Sequence, residues 1–530
     1  MANKQNILGV IILMIALTLS MLLRQKDFND GIGVRNLEAS YHVLLTATAL
    51  SESPTKNHWF LPTISLGKPQ DKNIPWGATI PTETGDFIYT SFTPPGFLAP
   101  YIWFNAFSLG PTIKNLANFN VLLGGLGVLL LYKILFSILK INNATNHSAL
   151  MGSLAGSSIG IFSNEVLTSH GLIYWSQSLY QLIFISSILV LIKVLVEPQN
   201  RKYQFILLIA VFFGAATEWT GYVFNLGLVG LFYFTGFIGS HQKLAEKILY
   251  ITIAAGIFTV AYYGLATDLY STLRAFAMRF LARSGKTGSI VSLLQGYSLS
   301  YGFYLIIIAL LLVVNKFNIF SNQQPATSNQ QPATSNQQPT TNNNICTITQ
   351  FVFIASCIPL VENILMLQHA SQFTFDRLKF IVPAAFIISI GFTSSPAKFK
   401  YLLSILLIFA AAQGFRSYRA DLSQYIAWKN IEMSNKKLAS EIQKNYDSDC
   451  TIYSSNINVR AYANLLFNHG IFERKEISDS TELIRIRHAC QIVHIDGNFV
   501  FPDIPSYTKA TITKADGSVE FLEVESPRKY

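Results

Sequence analysis

From residue 7 to about residue 414 the chain is a succession of long apolar runs, most of them divided by short polar stretches. The runs fall at 7–23, 117–139, 148–166, 171–192, 204–217, 222–239, 246–266, 290–314, 347–367, 380–394 and 400–414, eleven in all. This pattern constrains the fold more than any other feature. A run of about 20 apolar residues matches the hydrocarbon thickness of a bilayer. In lipid a spanning segment must satisfy its own backbone hydrogen bonds, so each span is a helix unless strands close into a barrel. Composition agrees: 13% of the residues are charged, against about a quarter in soluble proteins. The expected fold is a polytopic α-helical membrane protein with about eleven transmembrane helices. The shorter runs would borrow flanking residues or stop inside the bundle.

Basic residues set the expected orientation. With the N-terminus in the cytoplasm, Lys140, Lys193, Arg201, Lys202, Lys243, Lys247, Lys316, Lys398 and Lys400 all fall on the cytoplasmic side, as the positive-inside rule requires. The run 7–23 has no small-x-small site after it and reads as a retained helix, not a cleaved signal peptide. The stretch 267–289 breaks the rule with Arg274, Arg279, Arg283 and Lys286. Its basic residues are interleaved with Leu273, Phe276, Phe280 and Leu281, so it reads as an amphipathic helix on an anionic membrane surface or facing an anionic substrate. The net charge of +10 is modest for 530 residues. With no clustered basic face, it argues against nucleic acid as a partner.

Two polar regions interrupt the series. The first, residues 24–116, carries Asn36-Leu37-Glu38 near its start. Near its end come Gly85-Asp86-Phe87-Ile88-Tyr89 and then Thr93-Pro94-Pro95-Gly96. The run 97–109 beyond it, closed by Gly110-Pro111, is too short to cross and reads as a surface or re-entrant helix. The second is 415–530: a helical continuation of the last span to about 445, then a small extracytoplasmic α/β domain. Thr451–Tyr453 and Gln491–Ile495 read as strands, Arg460–Phe467 as a helix, and Asp516-Gly517 as the turn of a hairpin. Residues 321–341 repeat Ser-Asn-Gln-Gln-Pro and cannot pack a core, so they read as a disordered cytoplasmic linker. Cys450 and Cys490 could pair if that domain is outside the cell. Asp447-Ser448-Asp449 reads as a turn, with no nucleotide-binding fold around it, and no metal-ligand spacing is present.

The order of these features resembles the GT-C glycosyltransferases that use lipid-linked sugars, in the branch of the protein mannosyltransferases and the aminoarabinose transferases. The shared features are a first helix, a large outer loop with an early acidic residue, a diproline before a Tyr-containing apolar run, many spans and an outer C-terminal domain. The resemblance covers the first loop through about residue 200 most closely. It implies that Glu38 is the catalytic or acceptor-positioning carboxylate, matching the second of the family's two acidic positions, where Asn36 and Leu37 precede it. Asp86, Asp27 and Asp30 could stand in for the missing partner.

The chemistry needs such a carboxylate, to orient or deprotonate an acceptor hydroxyl or amine, and cations for a phosphate leaving group. His42 lies four residues beyond Glu38, on the same face of a helix, and Tyr89 stands before the diproline. Arg35, Lys68 and Lys72 in the first loop, and Arg274, Arg279 and Arg283 in the amphipathic segment, supply cations. Glu218-Trp219 and the segment with His369, Arg377 and Lys379 fall between apolar runs. A carboxylate at such a place is costly unless paired or functional. Glu218 is then paired or functional, and Trp219 beside it is an interface anchor or a sugar-stacking surface; His369, Arg377 and Lys379 suit a lipid phosphate or form a local charge cluster with Asp376.

The expected protein is thus a bacterial inner-membrane, inverting glycosyltransferase. Residues 1–414 form its membrane module and residues 415–530 the extension and outer domain. Its donor would be a polyprenyl-phosphate sugar and its acceptor a glycan, lipid or protein of the envelope. A divalent cation is compatible with the chemistry, but no ligand set stands out. Two rivals share the span count: a transporter or flippase, and a family member that has lost catalysis and serves as a scaffold.

Overall fold

A computed structural model describes residues 2–30, 34–67, 78–235, 238–284, 288–314, 341–423 and the strand segments 451–454, 471–473, 491–498, 506–514 and 519–523. The N-terminal helix is α1 (Ala2–Asp30). The first loop holds α2 (Glu38–Glu52), α3 (Thr55–His58) and the antiparallel hairpin β1 (Thr79–Pro81) and β2 (Phe87–Tyr89), paired Ile80 to Ile88. The loop ends in α4 (Pro95–Ala106), which starts on the diproline with Pro95 at its first position. A proline there loses no helical hydrogen bond and fixes the entry angle. The run 97–109 is this short helix, as expected.

The bundle follows as α5 (Ile113–Ile141), α6 (Asn146–Ser157), α7 (Ile159–Phe162), α8 (Asn164–Ser169), α9 (Ser176–Val196), α10 (Arg201–Thr217), α11 (Trp219–Phe234) and α12 (Ile238–Ala266). It continues as α13 (Leu269–Arg283), α14 (Ile290–Tyr301), α15 (Phe303–Val314), α16 (Thr341–Cys357), α17 (Leu360–Leu365) and α18 (Leu367–Gln372). A 3₁₀ turn at Thr374–Phe380 leads into α19 (Ile381–Ser394) and α20 (Ala397–Ser423). Among the described residues six segments are long and apolar enough to cross a membrane: Lys4–Asn29, Ile113–Ile141, Ser176–Val196, His241–Ala266, Ile348–Leu365 and Ala397–Ser423. The chain is a multi-pass membrane protein, but eleven full-length crossings are not reached. The runs at 204–217, 222–239 and 380–394 form helices of 17, 16 and 14 residues. The run 148–166 splits into three short helices. The run 290–314 breaks between α14 and α15 with a bend of 97°. Gly302 makes that bend, with φ of +41°, a value L side chains rarely adopt.

Polar side chains lock the first loop onto the bundle. Ser40 Oγ donates to Leu172 O at 2.8 Å and accepts from Tyr174 N at 2.8 Å. Tyr174 OH donates to Gly96 O at 2.7 Å. Asn120 Nδ2 lies 3.1, 3.1 and 2.6 Å from the carbonyls of Ser169, Gly171 and Ile173. The unwound stretch between α8 and α9 thereby becomes a fixed strut under α2 and α4. Asp27 on α1 accepts from Tyr418 OH at 3.1 Å and Arg419 Nη1 at 2.7 Å on α20, tying the first helix to the last. The α13 helix confirms the amphipathic reading: Leu269, Tyr270, Leu273, Met278 and Leu281 are at least half exposed, while Arg283 is buried.

At the C-terminus β3 (Thr451–Ser454), β4 (Ile471–Glu473), β5 (Gln491–Asn498), β6 (Ser506–Lys514) and β7 (Val519–Glu523) form one sheet of order β4-β3-β5-β6-β7. β3 is parallel to β4 and β5, and the remaining pairs are antiparallel. The expected hairpin pairs Thr513 with Val519. The helix expected at Arg460–Phe467, the Asp447–Asp449 turn, Cys450, Cys490 and the repeat at 321–340 lie outside the described residues.

Candidate active site

A cavity of about 400 Å³ opens where the first loop meets α13 and α18. Glu38 and His42 reach it from the first turns of α2, one helical turn apart. Asn36, with φ of +67°, turns the chain into that helix, and asparagine tolerates this left-handed conformation. Its Oδ1 accepts from Thr374 N at 3.4 Å. Tyr89, Ser91 and Phe92 come from the end of the hairpin and Trp175 from the strut. Arg279 and Arg283 come from α13, and Gln368 and His369 from α18.

The walls are aromatic, and one of the two arginines is held against them. Trp175 meets Phe92 edge-to-face at 4.8 Å and Phe97 at 5.4 Å between ring centroids. The His42 ring lies 4.7 Å from Tyr89 and 5.6 Å from Trp175. Burial pushes the His42 imidazole down to about 3, so it is neutral. The Arg283 guanidinium sits over the Phe92 ring at 4.1 Å, a cation–π contact that holds the charge at the wall.

Behind the cavity lies a buried polar chain. His369 Nδ1 is bonded to Asp376 Oδ2. Gln177 Nε2 donates to Asp376 Oδ1 at 2.8 Å and to Glu218 Oε1 at 3.3 Å. Burial is the main cause that raises the Glu218 carboxyl to about 8, with Arg283 opposing and Asp376 adding to it. Burial also lowers His369 from the ordinary histidine value, against the pull of Asp376.

Several expected site residues stand elsewhere. Asp86 is fully buried in the hairpin, where its carboxylate accepts from Ser65 Oγ at 3.1 Å and its backbone pairs with Thr82. It shapes the loop and does not line the cavity. Arg377 is engaged inside the bundle, 3.4 Å from Glu165 and bonded to Ser300 Oγ and to the carbonyls of Ala370 and Phe373. Lys379 is paired with Glu362 and with Asn363 Oδ1. Both are buried cations that compensate buried carboxylates, so neither presents its charge to the cavity. Trp219 points Nε1 at Ser91 O, 3.3 Å away. Glu218 does not line the cavity and is joined to its wall through Gln177 and Asp376. Arg274 is exposed on α13, and Arg35 is exposed beside Gln372. The side chains of Asp30, Lys68 and Lys72 are outside the described residues. Trp175 and Gln177 were hidden in the run 171–192, where the cluster Tyr174-Trp175-Ser176-Gln177 is the signal hydropathy averages away. Among the described residues no three of His, Cys, Asp and Glu converge as metal ligands.

No protein-family model and no curated protein sequence matches the chain. Solved structures do. ArnT from Cupriavidus metallidurans, bound to undecaprenyl phosphate, aligns with a TM-score of 0.57 over 95% of each chain at 10% identity. The apo oligosaccharyltransferase of Archaeoglobus fulgidus aligns with a TM-score of 0.53 over 92% of this chain and 69% of its own, at 11% identity. Its complex with zinc and sulfate gives 0.52, over 91% of this chain and 68% of its own, at 12% identity. The chain therefore has the fold shared by ArnT and the archaeal oligosaccharyltransferase.

Proposed function

We propose that the protein is an inverting membrane glycosyltransferase that moves a sugar from a polyprenyl-phosphate carrier to an envelope acceptor on the outer face of the bacterial inner membrane. The observation that carries this reading is the cavity. It combines a carboxylate, two arginines, one of them held over the Phe92 ring, and an aromatic lining, in a fold that aligns over 95% of its length with ArnT bound to undecaprenyl phosphate.

The parts divide by chemistry. Arg279 and Arg283 face the phosphate, whose negative charge grows as the glycosidic bond breaks, and fixed cations favour that change most. Tyr89, Phe92 and Trp175 offer faces and edges against which a sugar ring packs. The exposed apolar face of α13 lies in lipid beside the arginines and gives the carrier's isoprenoid chain a place to lie. Glu38 binds and orients the acceptor. It starts α2, where the helix N-terminus stabilises its charge.

A transfer assay tests the proposal. Full-length protein in membranes receives labelled polyprenyl-phosphate sugars and an extract of envelope acceptors, with Glu38→Gln alongside at equal protein level. Transfer by the wild type, reduced about 100-fold or more in the variant, is the expected result. No transfer by the wild type from any donor would sink the enzyme reading.

A further inference from the structure

His369 lines the cavity with 7% of its surface exposed, and its Nδ1 is held by Asp376. Asp376 is 1% exposed and is fixed in turn by Gln177. A carboxylate accepts hydrogen bonds, so the ring hydrogen sits on Nδ1 and the lone pair on Nε2. Among the described residues Nε2 has no hydrogen-bond partner. A neutral imidazole in this tautomer has no donor left for a phosphate oxygen. The arrangement does not suit lipid-phosphate binding, the role its position in the sequence suggested. It suits a group that takes a proton.

We propose that His369 is the catalytic base of the transfer and that Asp376 positions it, leaving Glu38 to orient the acceptor. This rests on the glycosyl-transfer reading above. The acceptor oxygen or nitrogen forms a bond to the anomeric carbon as its hydrogen passes to His369 Nε2. The bond from that carbon to the phosphate oxygen breaks, and its electron pair stays on the oxygen. Arg279 and Arg283 face the charge so released. Asp376 stabilises the imidazolium until its proton leaves to the product phosphate or to water. The leaving group needs no proton donor, because the second pKa of a phosphate monoester is about 6. One base is enough. The other cavity histidine is too weak for the task, since burial lowers His42 to about 3.

Gln177 and Glu218 anchor the pair from behind. Buried Asp376 could swing away from His369 without its second contact, and Gln177 supplies that contact at 2.8 Å. The charged and titratable groups around the imidazole, among the described residues, are Asp376 from the 3₁₀ turn, Arg279 and Arg283 from α13, Glu38 and His42 from α2, and Glu218 behind Gln177. Burial lowers His369, the Asp376 carboxylate raises it against that, and Arg283 lowers it further. Removing that carboxylate leaves a weaker base.

The test is kcat and donor KM as a function of pH, for full-length wild type, His369→Asn, His369→Gln and Asp376→Asn in detergent or vesicles. The donor is the polyprenyl-phosphate sugar that the wild type uses. His369→Asn and His369→Gln are expected to lose about 100-fold to 10,000-fold in kcat, with donor KM changed by a small factor. Asp376→Asn is expected to move the acidic limb of kcat to lower pH and to lower the plateau, which a purely structural role would not do. This second variant keeps His369 and stays informative if the histidine substitutions fold poorly. Wild-type transfer with full kcat in both His369 variants, or an acidic limb that Asp376→Asn leaves in place, overturns the inference and spares the enzyme reading. Absence of wild-type transfer overturns both.

Discussion

Arg377 tests whether the charged segment after α18 serves the fold or the donor. Its side chain is 4% exposed and that of Glu165 is fully buried, with Nε–Oε2 at 3.4 Å. At an effective dielectric near 20, that separation corresponds to about 5 kcal/mol of attraction. Most of it offsets the cost of burying the two charges. Arg377→Met removes the attraction and leaves that cost in place. Glu165 keeps hydrogen bonds from Ser169 at 2.8 Å and Ser300 at 2.5 Å, so its charge is solvated in part. The carbonyls of Ala370 and Phe373 lose their donor, at about 1 kcal/mol each. The expected loss is about 3–5 kcal/mol. Arg377→Met with Glu165→Gln should recover about half of it, because no buried charge is then left alone. The measurement is unfolding of the purified protein in mixed detergent, followed by loss of helical signal, as a double-mutant cycle. A single variant as stable as the wild type but with a raised donor KM would refute this reasoning and return Arg377 to the phosphate. So would a double variant no more stable than the single one.

Two further outcomes follow from burial and close approach. The raised Glu218 carboxyl, ordinarily near 4.5 and here about 8, holds in the folded state a proton that the unfolded state has released. Its contribution to stability is complete below about pH 4.5 and is lost as pH rises through about 8. The unfolding midpoint of the wild type should therefore fall more between about pH 5 and about pH 9 than that of Glu218→Gln, and equal slopes would contradict the assignment. A Cβ at Gly414 would stand 1.8 Å from the Phe162 carbonyl oxygen, so Gly414→Ala must push α20 off α7 and should cost about 1–3 kcal/mol in the same unfolding assay. Gly110→Ala, where the nearest atom is 3.9 Å away, is the matched control and should stay near wild type.

What was legible in the sequence follows from the range of each signal. Hydropathy shows that a run is apolar, and the helices lie where the runs lie. It does not show whether a run continues straight, so the bend at Gly302 and the division of 148–166 into α6, α7 and α8 were out of reach. The i, i+4 spacing shows which residues share a helix face. It placed Glu38 with His42 and made α13 amphipathic, and the structure brings Glu38, His42, Arg279 and His369 to one cavity. Long-range pairing is not visible in spacing at all. Arg377 and Lys379 look like loop cations open to a ligand, and their partners are 212 and 17 residues away, at Glu165 and Glu362. Both carboxylates stand inside apolar runs, at 148–166 and 347–367. A charge in such a place has to be compensated from somewhere else in the chain. Arg377 and Lys379 supply that compensation, and the segment they hold in place is the one that carries His369 and Asp376 to the cavity.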